Sequence, residues 1–240
     1  GTGIQQRYFS ELDEKDLNFR AALTYKLNDG FDQRSNVALG YIGRIVDDSF
    51  EAVEYDMSVV HQPMFNMADL SFDGFFDQAG FEEGDFLLDR NVDKYTVDKD
   101  IHSVYAEATY QLTRQLTANF GLKYDDVRLC VAYDVNRHGS QGEQEIDKSY
   151  FLPSLNLRYD LTGKHTLRFA ASKTYTLPQA KEISPFRYVG VSFKSQGNPD
   201  LKPSDNYNVD LKWDYYISPS EIFSVTGFYK YIKNPISRIE

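Results

Sequence analysis

The sequence predicts an all-β fold, an antiparallel up-and-down transmembrane β-barrel segment of about eight strands in four hairpins, and three observations carry that reading. Apolar and polar residues alternate with a period of two in segment after segment. Short and long connections between those segments alternate strictly. Tyrosines recur at fixed positions near both ends of the apolar faces. Period two gives a strand two unlike faces. Tight turns on the periplasmic side and long loops outside the cell are the habit of transmembrane barrels, whereas a soluble sandwich mixes its loop lengths. Bilayer interfaces favour Tyr and Trp at fixed depth, and the chain is correspondingly aromatic, with 18 Tyr and 17 Phe among 240 residues.

In the first segment Leu17, Phe19, Ala21, Leu23, Tyr25 and Leu27 share one face, and Asp16, Asn18, Arg20, Thr24 and Lys26 share the other. Asn28-Asp29-Gly30 is turn chemistry, because these residues tolerate the backbone of a tight reversal; Val37, Leu39 and Tyr41 then resume the apolar face. The second hairpin runs through Val104, Ala106, Ala108, Tyr110 and Leu112, reverses at Thr113-Arg114-Gln115, and returns through Leu116, Ala118, Phe120, Leu122 and Tyr124. The third joins Leu155, Leu157, Tyr159 and Leu161 to Leu167, Phe169 and Ala171 through Thr162-Gly163-Lys164. The fourth joins Tyr207, Val209, Leu211, Trp213 and Tyr215 to Phe223, Val225, Tyr229 and Tyr231 through Ser218-Pro219-Ser220. Tyr25, Tyr110, Tyr159 and Tyr215 fall just before the short turns and predict one aromatic girdle; Tyr41, Tyr124, Tyr175 and Tyr231 predict the other. The spacing of eight to ten residues, at about 3.3 Å rise and about 40° tilt, matches an apolar band of roughly 25 Å.

Long connections are predicted over roughly Ile45 to Asp100, Asp126 to Ser149 and Leu177 to Ser204. The first, residues 45–100, holds 15 acids and three bases, while the rest of the chain holds 21 acids and 23 bases, so the net charge of -10 belongs to one acidic extracellular loop. Its six Phe between Phe65 and Phe86 make it too aromatic for a disordered tail. Asp73, Asp77, Glu82, Glu83 and Asp85 lack the spacing of a calcium loop, and the reading assigns no metal.

The composition also excludes function classes. The longest apolar run, Leu129 to Tyr133, is far too short for a membrane-spanning helix. No basic footprint for nucleic acid exists. Cys130 is alone, so neither a disulfide framework nor a cysteine metal site is available. The four histidines, His61, His102, His138 and His165, are scattered, and there is no nucleophile elbow or phosphate loop. Glu107 and Asp125 have the parity of a polar interior, where pairing with Arg20, Lys123, Arg158 or Arg168 on neighbouring strands is the plainer role. No catalytic residue, enzyme activity or cofactor is expected of this sequence.

Gly197-Asn198-Pro199-Asp200-Leu201-Lys202-Pro203 followed by Asn206-Tyr207 resembles a loop and strand entry in the C-terminal barrel of TonB-dependent outer-membrane receptors. Leu116 to Asp125, Pro153 to Asp160, Leu167 to Pro178, Gly227 to Lys230 and Lys233 to Ile236 are similar to further segments of that family, in family order. Ser204 and Asn208 depart from it, standing where the family usually has acids.

The resemblance implies a Gram-negative outer-membrane receptor that captures a scarce solute, an iron chelate, haem, cobalamin or a glycan, and imports it with energy from the TonB complex. It implies as partners outer-membrane lipid, a small-molecule or oligosaccharide substrate, and TonB acting through a plug domain not present in these residues. Residues 1–240 are then expected to be a partial barrel from a longer receptor. Candidate substrate-binding positions are His61, Phe65, Arg187, Tyr188 and Lys194 on loops, and Tyr105 and Arg168 facing the lumen. Two alternatives stay open. A self-contained eight-stranded structural or adhesion barrel predicts that Leu17 to Leu27 pairs with Phe223 to Tyr231. A soluble secreted β-sandwich binding module predicts that the apolar faces of two sheets pack together.

Overall fold

The computed structural model describes residues 5–27, 35–59, 86–135, 140–185, 187–189 and 194–237. Eight strands form one antiparallel sheet: β1 (Gln5–Lys26), β2 (Asn36–Val59), β3 (Phe86–Gln111), β4 (Leu116–Val135), β5 (Ser140–Thr162), β6 (His165–Thr176), β9 (Ser204–Ser218) and β10 (Glu221–Lys233), paired in that order. A short helix, α1 (Ala180–Ile183), and a small ribbon of β7 (Arg187–Val189) and β8 (Lys194–Gln196) lie in the connection from β6 to β9. The four predicted hairpins are present in register. The predicted turn Asn28–Gly30 lies outside the described residues.

β1 and β10 stand at opposite edges of the sheet and do not pair with each other, so the closed eight-stranded barrel is not formed. Nor do the described residues form a sandwich. Leu23 is 80% exposed, and Phe120 and Leu211 are more than half exposed, on a face that no second layer of the described residues covers.

The predicted loop boundaries need correction. Residues 45–59 and 86–100 are not loop but the outer halves of β2 and β3, paired with each other from Asn36↔Thr109 to Val59↔Phe86. Likewise β4 runs on to Val135 and β5 begins at Ser140, which leaves little of the predicted Asp126 to Ser149 connection. A strand crosses a bilayer in about 9–11 residues, and β3 has 26. The surplus projects beyond the membrane.

Where the strands leave the band, the two faces exchange character. On β4, Leu116, Ala118, Phe120, Leu122 and Tyr124 point outward, and Thr117, Asn119, Lys123 and Asp125 point inward. Beyond Asp125 the parity continues unbroken, but now Asp126, Arg128 and Asp134 are the exposed outward residues and Val127, Leu129, Val131 and Val135 the buried inward ones. β5 does the same: Phe151, Leu155, Leu157 and Tyr159 point outward in the band, and Glu143, Glu145 and Asp147 above it. Lipid outside favours apolar side chains, whereas water outside favours charges and lets the inner face build a core.

That core consists of Val97, Leu129, Val131, Ile146 and Ile183, with Tyr95, Leu177 and Ala180 packed against it. Ile183 comes from α1, so the β6–β9 connection folds back onto the inner wall. Its backbone is tightly held. Gln179 N–H donates to the Glu182 carboxylate at 2.7 Å, the return half of a capping box. Asn198 N–H donates to Glu182 O at 2.6 Å, and Asp200 N–H to Asn198 Oδ1 at 2.9 Å. A Cβ on Gly197 would overlap the Ser184 carbonyl, so only glycine fits there. The Gly-Asn-Pro-Asp-Leu stretch is therefore a turn clamped onto α1.

Pairing of β5 with β6 stops at Ser154↔Ser172. The next residue of β5 is Pro153, which has no N–H to extend the ladder. Above this seam β5 stays with β4 and β6 stays with β9.

Candidate functional site in the lumen wall

The inward face of the band is a polar wall built in cross-strand rows. One row, Ala22, Gly40, Tyr105 and Lys123, runs across β1 to β4. A Cβ on Gly40 would overlap the Tyr105 ring, so the glycine lets the tyrosine lie flat across β2. This delivers its hydroxyl to Arg20, whose Nη2 donates to it at 2.8 Å, while the guanidinium carbon lies 5.6 Å from the ring centroid. Below, Asn119 Nδ2 donates to Glu107 at 2.6 Å, and Asn156 Nδ2 donates to Asn119 Oδ1 at 3.2 Å. Small Gly121 and Ser154 sit side by side between these groups and open a recess of about 320 Å³. Arg20, Tyr105, Glu107, Asn119, Lys123 and Asn156 line it.

At the outer end of the band, Asp125 is 1% exposed and holds two partners: Lys123 Nζ at 2.9 Å and the Tyr175 hydroxyl at 2.9 Å. Tyr175 stacks on Tyr150 with ring centroids 3.9 Å apart. Just above the band, burial, and then Asp205, push the Tyr150 phenol up to about 12. Burial, and then Asp125, raise Tyr175, because the carboxylate favours the protonated phenol. Tyr175 is therefore not a girdle residue as its parity predicts; where β6 parts from β5, its side chain turns inward and fills the seam. Higher on the same wall, Lys99 lies between Val46 and Leu129 in register. Burial, and then the nearby Arg44 charge, lower its pKa.

Toward the periplasmic turns the wall becomes cationic. Arg158, Arg168 and Lys212 oppose one another on β5, β6 and β9. Arg158 Nε meets Asp160 at 3.0 Å; Arg168 Nε and Lys212 Nζ reach the buried Asp214 at 3.4 and 3.0 Å.

Of the predicted site residues, Tyr105 and Arg168 face the lumen as expected, on different strands and in different rows. Arg187, Tyr188 and Lys194 fall on the β7–β8 ribbon, with Tyr188 opposite Ser195 and Lys194 opposite Val189. His61 and Phe65 lie outside the described residues, as do the acids between Asp73 and Asp85. Asp125 pairs with Lys123, but on its own strand rather than a neighbouring one, and Glu107 takes an amide rather than a cation. Asp214 and Tyr150 were missed, although Asp214 shares the parity of Lys212 and could have been placed inward by that alternation. Among the described residues no group of three or more His, Cys, Asp or Glu is placed to hold a metal.

A polar wall inside an apolar band, with short turns at one end and long strands at the other, is the architecture of a large outer-membrane barrel. The family model for the TonB dependent receptor-like β-barrel matches residues 2–240. The chain belongs to this family. As a segment of a TonB-dependent receptor barrel, it lies in the Gram-negative outer membrane. It is 29% identical over 102 residues to the iron-regulated outer membrane virulence protein of Vibrio cholerae serotype O1, a match covering 41% of this chain and 16% of that one. Its structure is similar to the ferric-catecholate import receptor Fiu of E. coli K12, with a TM-score of 0.51 at 16% identity over 96% of this chain and 33% of that one. A TM-score of 0.45 at 14% identity relates it to the alcaligin outer-membrane receptor FauA of Bordetella pertussis, over 100% of this chain and 41% of that one. The chain thus spans 16% of the curated relative and 33% of the Fiu receptor, and the likeness to Fiu establishes the fold.

Proposed function

We propose that these residues form the wall of an outer-membrane receptor that takes up an iron chelate with energy delivered by the TonB complex. One observation carries the reading: a hydrogen-bonded polar wall from Arg20 to Lys212 on the inner face of a sheet whose outer face is apolar across the band. A polar lumen inside a lipid-facing band is the arrangement of a barrel that encloses an aqueous path through a membrane. Iron is favoured over haem, cobalamin or glycan by the names of two similar proteins, the iron-regulated Vibrio cholerae protein and the ferric-catecholate import receptor Fiu. The extracellular extension, with its docked β6–β9 connection, forms the mouth that meets the solute first. Energy coupling falls to a plug domain outside these residues.

The test is uptake of radioactive iron from a panel of ferric chelates by cells that carry the intact receptor and lack other chelate receptors. Uptake that stops when TonB is removed supports the reading. Haem, cobalamin or oligosaccharide uptake with no chelate carried overturns the iron assignment, and uptake indifferent to TonB overturns the coupling.

A further inference from the structure

Trp213 is the only tryptophan of the chain, and it meets His165 and Tyr215 on the outward face at the periplasmic end of the band. Tyr215 opposes His165 beside the short turn, and Trp213 opposes Leu167 one pleat deeper. The three rings lie parallel. His165 is 4.5 Å from Tyr215 and 5.7 Å from Trp213, centroid to centroid, with interplanar angles of 5° and 3°, and Trp213 and Tyr215 are 6.4 Å apart at 7°. Phe223 stands edge-on to the array, 6.1 Å from Trp213 at 78°. The parallel rings are each half-buried and hold one another in place.

What this rigid array lacks is a polar partner. Among the described residues, the His165 imidazole, the Trp213 indole N–H, the Tyr215 hydroxyl and the adjoining Lys164 ammonium make no hydrogen bond and no ion pair. Lys164 is engaged through its backbone alone, donating N–H to Thr162 Oγ1 at 3.2 Å and accepting from Tyr216 N–H at 2.8 Å. All four groups donate, and the indole and the ammonium do nothing else. The neighbouring acids are committed elsewhere. Asp214 is buried on the inward face with Lys212 and Ser224, Asp160 meets Arg158 there, and Glu221 accepts from Ser218 Oγ at 3.1 Å in the turn. Two other short turns are built differently: Tyr25 opposes Val37, and Tyr110 opposes Ala118.

At this depth the hydrocarbon ends and the headgroups of the inner leaflet begin. The group there that every phospholipid carries, and that accepts without donating, is the phosphate diester. We propose that His165, Trp213, Tyr215 and Lys164 form a binding site for the phosphate of one inner-leaflet phospholipid, whose chains run up the apolar face over Leu167 and Leu211. The mutually fixed rings give up little freedom when they engage it. The site faces away from the lumen and is independent of the solute carried.

The test places the intact receptor in detergent micelles doped with dioleoyl phosphatidylglycerol or with dioleoylglycerol, which has the same chains and no phosphate. Native mass spectrometry then measures the lipid that survives collisional activation. The variant Lys164→Gln/His165→Phe/Trp213→Phe/Tyr215→Phe keeps the rings and removes every donor, and Tyr25→Phe/Tyr110→Phe removes two hydroxyls of the same girdle elsewhere. Wild type is expected to retain phosphatidylglycerol over dioleoylglycerol by roughly fivefold or more, and the donor-free variant to lose roughly threefold or more of that retention while the Tyr25/Tyr110 variant keeps it. Equal retention of the two lipids by wild type overturns the phosphate as the group held. Equal phosphatidylglycerol in wild type and the donor-free variant, or an equal loss in both variants, overturns the site. Should the fourfold variant not reach the folded barrel, Lys164→Gln/His165→Phe carries the test, with retention equal to wild type as the overturning result.

Discussion

Within one strand, β4, residues 116–124 show apolar side chains to the outside and residues 127–135 bury them inside. The backbone does not change between the two regions: register with β3 and β5 runs through without a bulge. What changes is the solvent beyond the outer face. In the band it is hydrocarbon, so Phe120 stays 53% exposed among the protein atoms and the inner face carries the polar groups. Above it the outer solvent is water, so Asp126, Arg128 and Asp134 take that side, and Val131, 0% exposed, joins an inner core under α1. A transmembrane sheet and a water-soluble sheet are thus fused end to end in the same strands. The lower half presents hydrogen-bonding groups to a solute path, and the upper half holds a folded connection over its entrance.

The largest effect is expected in the upper half. Ile183→Ala truncates the fully buried side chain that α1 inserts into the core, a loss of about 2–5 kcal/mol for a buried aliphatic. Because the wall strands stay paired without it, the cost is expected as undocking of α1 and the turn from Gly197 to Leu201. Hydrogen exchange on the intact receptor checks this: amides such as Ser184 and Asn198 lose protection while those of β4 keep it. Equal loss in both regions would mean that the docked connection and the wall strands open as one unit. A slightly smaller effect is expected from Phe120→Arg at the middle of the band, about 2–4 kcal/mol in a urea titration of receptor refolded into liposomes. Asp134→Arg, on the same outward face but in water, is expected to cost about 0.5 kcal/mol or less. Similar costs at the two positions would mean that hydrocarbon does not end where the faces exchange.

That exchange also explains what could be read from the sequence. Each hairpin was legible because apolar parity and turn residues agreed, as in Leu155 to Leu161 with Gly163-Lys164. The outer halves were not, because the alternation continues there in opposite phase: Val127, Leu129 and Val131 keep period two but on the face that Lys123 and Asp125 had made polar. A reader following one apolar face loses the strand at Tyr124, and so Asp126 to Ser149 and residues 45–100 look like loops. Tyr105 and Arg168 were legible as lumen residues from parity alone. Tyr175 was misplaced because parity assumes a continuous sheet, and β6 leaves β5 after Ser172. The Gly40 and Tyr105 pairing was illegible, since it needs the register of two strands that are distant in sequence.

Cys130 measures how acidic the outward face has become above the band. Its thiol donates to Glu143 at 3.0 Å, and that bond, then burial, then the charges of Glu143, Asp98 and Glu145, push it up to about 11. Below its pKa the thiolate fraction falls about tenfold per pH unit. Alkylation by a maleimide is therefore expected to be slow at pH 8, to keep rising with pH, and to level off only near pH 11. Glu143→Gln removes the largest cause and is expected to speed the reaction at pH 8 by about tenfold or more. An unchanged rate would show that Glu143 does not hold the thiol.

A modest effect is expected in the lower half, at Tyr105, where the chemistry of the wall rests on one bond across three strands. Tyr105→Phe deletes the hydroxyl that Arg20 reaches at 2.8 Å but leaves the ring over Gly40 and beneath the guanidinium. The exposed Arg20 can return to water, so the loss is that of one hydrogen bond without a buried orphan, about 0.5–1.5 kcal/mol. Gly40→Ala must lift the ring itself, which removes the bond and the ring contact together and is expected to cost more than Tyr105→Phe. Urea titration of both variants orders them. If Tyr105→Phe equals or exceeds Gly40→Ala, the glycine is not what lays the tyrosine across β2, and the recess beside it has another cause.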